Sequence, residues 1–190
     1  MISTVVNRAR RVALAAALGL VLLPGSGRAQ LAFPDWYTLA TAAAKDKTDE
    51  VAQLLRRGDN PNFLDGLGRS PLSYAAASGN TAMIKLLLDG GARIDYRDGF
   101  GSTPLHWAAE SGRVEALRML IDAKAPVDAQ NRQGVTPLML AAGANKGEAV
   151  KALLKAGANP KRQDFTGRDA TGWASGKPSA LRALQEAQAG

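Results

Sequence analysis

Apolar positions along this chain fall into pairs of short helical stripes, and the pairs recur every 33 residues. In the clearest unit, Leu105, Ala108 and Ala109 lie on one face of a helix, because their spacing matches the helical period. A second stripe follows after a short polar break, at Leu117 and Leu120. The pattern predicts helix–turn–helix units joined by exposed turns, and a fixed period of this length is typical of repeat proteins.

The residues around each stripe supply start and stop signals for the helices. Gly101 closes a turn that needs positive φ, and Pro104 stands at the first helical position, where its missing N–H costs nothing. Between them, Thr103 is the expected N-cap, with a hydroxyl free to accept a backbone N–H. The first helix should end where residues that tolerate left-handed backbone recur, at Asp46, Gly79, Gly112 and Asn145.

Lys124 breaks the pattern at the end of the second helix. The equivalent positions of the flanking units are Gly91 and Gly157. If all three positions share one backbone conformation, Lys124 is left-handed and stores about 1 kcal/mol of strain.

Capping, turn and apolar positions recur together in three strings that resemble a known family. The strings are SPLSYAAASGN (70–80), TPLHWAAESGR (103–113) and TPLMLAAGANK (136–146). With the 33-residue period, they resemble the ankyrin repeat from about Trp36 to the C-terminus. The resemblance implies an all-α solenoid of stacked helix–turn–helix units with β-turn or hairpin fingers.

The register divides the repeat region into five units. A capping repeat, three full repeats and a second capping repeat are predicted at residues 36–64, 65–97, 98–130, 131–163 and 164–190. The last unit keeps its turn but loses the helix signature at Thr171 and Gly172, which suits a shortened C-terminal cap. Trp36 and Tyr37 either seal the open end of the stack or form a binding patch.

Residues 1–29 have the features of a cleaved secretory signal peptide. Three arginines precede a twelve-residue apolar run at 12–23, and small residues allow cleavage after Ala29. A membrane anchor is the alternative, but a membrane span needs about 20 apolar residues. The mature domain would be residues 30–190. The pair Arg10–Arg11 leaves open whether export uses the Sec or the twin-arginine route.

Charge and cysteine content refine this interpretation. Removal of residues 1–29 takes away four arginines and no acidic residue, so the formal net charge falls from +7 to +3. Nucleic acid is therefore not an expected partner, since the chain also lacks a basic run and an aromatic stacking platform. The chain has no cysteine, which suits an oxidising compartment. We expect a periplasmic location, with secretion as the alternative.

The sequence predicts no catalytic residue, no cofactor and no metal site. His106 is the only histidine and has no cysteine or second histidine with which to form a metal site. The resemblance implies instead that it hydrogen-bonds the backbone of the neighbouring turn. Asp65, Asp98 and Asp164 stand on separate turns, which suits turn capping rather than paired acid–base catalysis.

The resemblance places the protein-binding surface on the turn tips and on the first-helix face. Four apolar tip residues should form an exposed row, Leu67, Phe100, Val135 and Phe165. The alternative is that these side chains pack on adjacent turns and hold the stack. Tyr74 and Trp107 are expected in the core. The full predicted binding set is Leu67, Arg69, Arg97, Phe100, Ser102, Glu110, Gln130, Arg132, Gln133, Val135, Phe165 and Arg168.

The implied function is a non-enzymatic protein–protein interaction module with a rigid concave surface. Its partner would be one or more proteins of the cell envelope, which it scaffolds, inhibits or protects. We expect a monomer without stable membrane insertion after signal cleavage. A secreted effector or an immunity-type inhibitor with one dedicated target is the alternative.

Overall fold

The computed structural model describes residues 38–188, and the chain from Leu39 onwards forms one compact unit. Helices and turns make up these residues, with no strand among them, which confirms the all-α prediction. The predicted signal segment and the pair Trp36 and Tyr37 lie outside the described residues. The helices are α1 (Leu39–Ala44), α2 (Thr48–Arg57), α3 (Pro71–Ser78), α4 (Thr81–Asp89), α5 (Pro104–Ser111), α6 (Val114–Asp122), α7 (Pro137–Gly143), α8 (Gly147–Lys155), α9 (Ala170–Trp173) and α10 (Pro178–Gln188).

The helices stack in two rows. The first helices of successive units, α1, α3, α5, α7 and α9, contact one another, and so do the second helices, α2, α4, α6, α8 and α10. Leu105 of α5 and Leu117 and Leu120 of α6 are fully buried in the resulting core. First-helix alanines let the helices approach closely, and those fully buried include Ala75, Ala76, Ala108, Ala109, Ala141 and Ala142.

Local capping explains where the first helices begin. Ser70 and Thr136 accept the N–H three residues further on, at 3.2 and 3.3 Å. Thr103 occupies the N-cap position of α5, but its hydroxyl lies 2.9 Å from Nδ1 of His106, so the side chain of His106 takes part in the cap. A proline then opens each of these helices, at Pro71, Pro104 and Pro137.

The predicted left-handed positions are confirmed. Asp46 and Asn145 have φ of +56° and +57°, and Gly79 and Gly112 have φ of +80° and +70°. Lys124 has φ of +70°, as its alignment with glycines predicted. The side chain of Lys124 therefore occupies a backbone conformation in which its Cβ crowds the following carbonyl oxygen.

Replacement of Lys124 by glycine should stabilise the protein by about 0.5–1 kcal/mol, because release of left-handed strain exceeds the entropy that glycine gains in the unfolded chain. Urea unfolding measures the change. The reverse substitution, Gly157→Lys, is the matched control. At Gly157 φ is +88°, and an added Cβ would meet no described atom within 4 Å beyond its chain neighbours. A loss of stability in Lys124→Gly would show that the left-handed backbone of Lys124 is not strained enough to offset the extra unfolded-chain entropy of glycine.

Candidate functional site

The turn tips are built by the acidic or amide residue that opens each repeat. Oδ1 of Asp98 accepts the N–H of Phe100 at 2.8 Å and the N–H of Ser102 at 2.9 Å. The backbone closes the same turn, because Gly101 N–H donates to the carbonyl of Asp98. Asp65, Asn131 and Asp164 make the corresponding side-chain bonds. Turn capping, predicted for the aspartates, is confirmed.

Three of the four predicted apolar tip residues are open to solvent. The exposed fractions of Leu67, Phe100 and Phe165 are 71%, 65% and 75%. Val135 is only 2% exposed, so its prediction as an exposed tip residue is wrong. Phe63, which the sequence did not single out, is also exposed, in the loop before the first full turn.

The error at Val135 is one of register. Val135 stands 33 residues after Ser102, which is buried too, so Ser102 is likewise no tip residue. In these two repeats the fifth position of the turn faces into the stack, where the carbonyl of Val135 contacts Nε2 of His106 at 3.1 Å. The true counterpart of Phe100 is Gln133, which is exposed. Phe165 occupies the second position of its turn, whereas Phe100 and Gln133 occupy the third.

Polar side chains that were predicted to flank the tips connect successive turns instead. Nη1 of Arg97 donates to the carbonyls of Gly101 and Gln130, at 3.0 and 2.6 Å. Nε2 of Gln130 repeats this pattern one unit later with the carbonyls of Gly134 and Gln163. These side chains therefore brace the row of turns.

Backbone and arginine contacts brace the tips themselves. Arg132 N–H donates to the carbonyl of Phe100 at 3.0 Å, and its Nη1 donates to the carbonyl of Gly99. Phe165 N–H donates to the carbonyl of Gln133 at 3.1 Å. The exposed side chain of Phe100 thus projects from a turn that is held by the following repeat, and that of Phe165 from a turn that is held by the preceding one.

A row of aromatic residues lies half-buried beside the turns, rather than in the core as predicted for Tyr74 and Trp107. Nε1 of Trp107 donates to Oδ2 of Asp98 at 2.8 Å, and Trp173 bonds Asp164 in the same way at 2.9 Å. The hydroxyl of Tyr74 donates to the carboxylate of its own turn, that of Asp65. An aspartate followed nine residues later by Tyr or Trp is a sequence signal that could have revealed this contact.

Arginine side chains lie over these aromatic rings. The guanidinium carbon of Arg69 is 3.7 Å from the ring centroid of Trp107 and 4.9 Å from that of Tyr74, so it connects two repeats. The guanidinium carbon of Arg168 is 4.8 Å from the ring centroid of Trp173. Such contacts stabilise a partly desolvated cation by about 0.5–2 kcal/mol. Arg69 and Arg168, both predicted binding residues, are engaged within the stack.

Two of the turn carboxyl groups have lowered pKa values. Burial alone would raise the pKa of Asp65, but hydrogen bonds from Tyr74 and from turn N–H groups outweigh it. The pKa of Asp164 lies well below its ordinary value, chiefly because the hydroxyl of Thr166 donates to it. Because these carboxylates stay ionised and their oxygens accept bonds from the turn, they serve structure and not proton transfer.

A cavity of about 230 Å³ opens between the second and third full repeats. Phe100, Trp107 and Leu140 supply its apolar walls, and Glu110 and Gln133 supply polar groups. It lies on the predicted binding face, at the junction between turn tips and first helices.

Comparison with known proteins gives a match to Ankyrin repeats (3 copies) over residues 39–131 and 91–164. Together these ranges cover most of the described chain. This protein belongs to the ankyrin repeat family. No curated protein matches the chain. Ankyrin repeats are protein–protein interaction modules and are typically non-enzymatic.

His106 has a structural role in the ankyrin stack, as the resemblance implied. Its Nδ1 accepts the N–H of Thr103 at 3.1 Å, which leaves Nε2 to donate to the carbonyl of Val135. Burial lowers the pKa of His106 to about 4, although the bond to Val135 opposes part of that shift. A neutral ring satisfies both of these contacts at pH 7.

Two further features bear on chemistry. Within residues 38–188, no group of three or more Asp, Glu or His side chains could hold a metal ion. None of the helices described has the combined length and apolarity that a membrane crossing needs.

Proposed function

We propose that this ankyrin protein is exported and binds a partner protein of the periplasm through its turn tips and first-helix face. The observation that carries the proposal is the exposure of Leu67, Phe100 and Phe165, the last two on turns that bond to a neighbouring repeat. Exposed large apolar side chains of this kind form the anchors of protein interfaces when a partner covers them.

Rigidity of the tips supports a binding role. Arg97, Gln130 and Arg132 connect the turns of Phe100, Gln133 and Phe165, so the side chains of Phe100 and Phe165 need little backbone ordering when a partner docks. A preorganised surface loses less conformational entropy on association and therefore binds more tightly for the same contact area. The concave face of the ankyrin stack would act by presenting this surface, and the chain would scaffold, inhibit or protect its partner.

Export rests on the N-terminal pattern of the chain. An arginine-containing start, a twelve-residue apolar run at 12–23 and small residues before Gln30 support cleavage after Ala29. The mass of the chain recovered from periplasm, which should begin at Gln30, tests this step. A secreted effector or an immunity-type inhibitor with one dedicated target is the second candidate, since it uses the same export signal and binding face.

The tip residues can be tested by capture from a periplasmic extract with the immobilised mature chain, residues 30–190. Phe100→Ala combined with Phe165→Ala should weaken binding of the partner about thirtyfold and reduce its recovery accordingly, because two anchor side chains each contribute about 1 kcal/mol or more to binding. The fold should be unaffected, since both side chains are exposed. Mass spectrometry and a quantitative blot measure the retained protein.

A double variant on the second-helix row, Lys85→Ala with Arg118→Ala, is the matched control, because both side chains are exposed there. Equal recovery by the wild-type chain and the tip variant would return the phenylalanines to a packing role. If no chain retains a protein from periplasm, the same capture from culture supernatant and target-cell extract tests the secreted alternative.

A further inference from the structure

Glu110 interrupts an otherwise uniform row of small residues on the first-helix face. Every other member of the row, at spacings of 33 residues, is alanine or glycine: Ala44, Ala77, Gly143 and Gly176. Small neighbours on both sides leave the long side chain of Glu110 without a stacking partner in the adjacent repeats. The side chain is exposed.

The carboxylate of Glu110 has no partner among the described residues. It makes no hydrogen bond and no ion pair there, although three arginines occur on the same face of the protein. Arg97 and Arg132 donate to turn carbonyls, and Arg69 lies over the ring of Trp107. None of these cations is directed to Glu110.

The position of Glu110 is also unfavourable for an acidic residue. It lies in the last turn of α5 (Pro104–Ser111), where the partial negative charge of the helix end disfavours a carboxylate. An unpaired acid at a helix C-terminus is therefore not explained by the stability of the stack. It calls for a positive charge from outside the chain.

The cavity beside Glu110 has the walls that a long cationic side chain requires. Leu140 stands at the register position of the aromatic residues Trp107 and Trp173, and its smaller side chain leaves room next to Trp107. Phe100 and Leu140 offer apolar contact for an aliphatic stem. Arg69 comes from the preceding repeat and does not line the cavity, which lies on the side of the following repeat.

We infer that this cavity receives a lysine or arginine side chain of the partner protein. The stem lies between Phe100, Trp107 and Leu140, and the cationic head pairs with the carboxylate of Glu110. Aromatic rings of this chain already contact arginine side chains, with guanidinium carbons 3.7 Å from the centroid of Trp107 and 4.8 Å from that of Trp173. An acidic side chain would instead meet the like charge of Glu110. The inference rests on the proposed function and specifies the chemistry of the partner.

The test uses two short peptides as probes, N-acetyl-Gly-Arg-Gly-amide and the same peptide with citrulline, an uncharged isostere of arginine. Titration of the ¹⁵N-labelled protein follows the indole N–H signal of Trp107, which Trp107→Phe assigns. The arginine peptide should shift this signal saturably. Binding should weaken about fivefold with citrulline and about fivefold in Glu110→Gln, because each change removes one charge of the pair. The control Glu115→Gln removes an exposed carboxylate from the second-helix row and should bind like the wild type.

Equal shifts with both peptides, no shift at Trp107, or unchanged binding in Glu110→Gln would overturn the inference. A shift confined to Trp173 would overturn it as well, since the cation would then bind outside this cavity. Failure of this inference can be distinguished from failure of the proposed function. A partner whose capture depends on Phe100 and Phe165, but which Glu110→Gln retains fully, leaves the proposed function standing. Conversely, a charge-dependent shift at Trp107, together with no partner whose capture depends on the tips, would support the inference and contradict the proposed function.

Discussion

The free energy of unfolding should fall by about 3 kcal/mol between pH 7 and pH 4 because of a single residue, His106. Its pKa is about 4 in the folded protein and 6.5 in an unfolded chain, and each unit of difference corresponds to about 1.4 kcal/mol. Unfolded chains therefore bind a proton as the pH falls below 6.5, whereas the folded protein resists protonation until about pH 4. The stabilisation is complete above pH 6.5 and is lost progressively across this window.

The physical cause is the geometry of the ring. His106 is fully buried, Nδ1 accepts the N–H of Thr103, and Nε2 donates to the carbonyl of Val135. Protonation of Nδ1 would place a charge in the core and would set two donors, the ring N–H and the backbone N–H of Thr103, against each other.

His106→Met is the variant that isolates this effect, because Met139 occupies the equivalent position of the next repeat. At pH 7 it should be less stable than the wild type by about 1–3 kcal/mol, since the carbonyl of Val135 loses its donor. Urea unfolding at intervals from pH 7 to pH 4 measures both chains. Carboxyl groups titrate alike in the two, so the difference between the curves belongs to His106. Parallel plots of unfolding free energy against pH for the two chains would show that His106 is protonated as easily in the folded protein as in the unfolded chain.

Gly134→Ala should destabilise the protein by about 2–5 kcal/mol, although it adds only one methyl group. Gly134 has φ of +77°, and left-handed backbone costs a residue with a Cβ about 1–2 kcal/mol. The added Cβ would also lie 2.8 Å from the backbone nitrogen of Phe165. Relief of that contact requires a shift of the next turn, with a further cost of about 1–3 kcal/mol.

Gly167→Ala separates the two contributions, because Gly167 occupies the same place in the last turn with φ of +82°. A Cβ there would meet no described atom within 4 Å beyond its chain neighbours, so only the backbone cost of about 1–2 kcal/mol remains. Urea unfolding of both variants gives the comparison. Equal losses would mean that the turn of Phe165 shifts without a measurable cost. The bond between Phe165 N–H and the carbonyl of Gln133 would then contribute little to stability.

Several features of the fold could be predicted from the sequence because their causes are local. The left-handed conformation of Lys124 followed from its alignment with Gly91 and Gly157. The turn-capping role of Asp98 followed from its spacing to Gly101 and from the preference of aspartate for bonds to its own turn. Each of these depends on a few adjacent residues and on backbone sterics.

The candidate site was only partly predictable, because its residues respond to neighbours one repeat away. Val135 was assigned to the exposed tip, although it shares its register with the buried Ser102. Arg97 was assigned to the binding surface, but its guanidinium finds carbonyl groups on its own turn and on the next repeat. Trp107 was assigned to the core, but a turn carboxylate and a stacked arginine hold it at the surface.

The sequence by itself determined the helical solenoid fold and the ankyrin family, because caps, glycines and apolar stripes act within a single repeat. Only the tertiary structure decided which polar and aromatic side chains make contacts within the stack and which remain available to a partner. Arg97, Gln130 and Arg132 brace the turns, whereas Phe100 and Glu110 remain open. The reason is that the partner of each side chain is set by a residue about 33 positions away, which only stacking brings within reach.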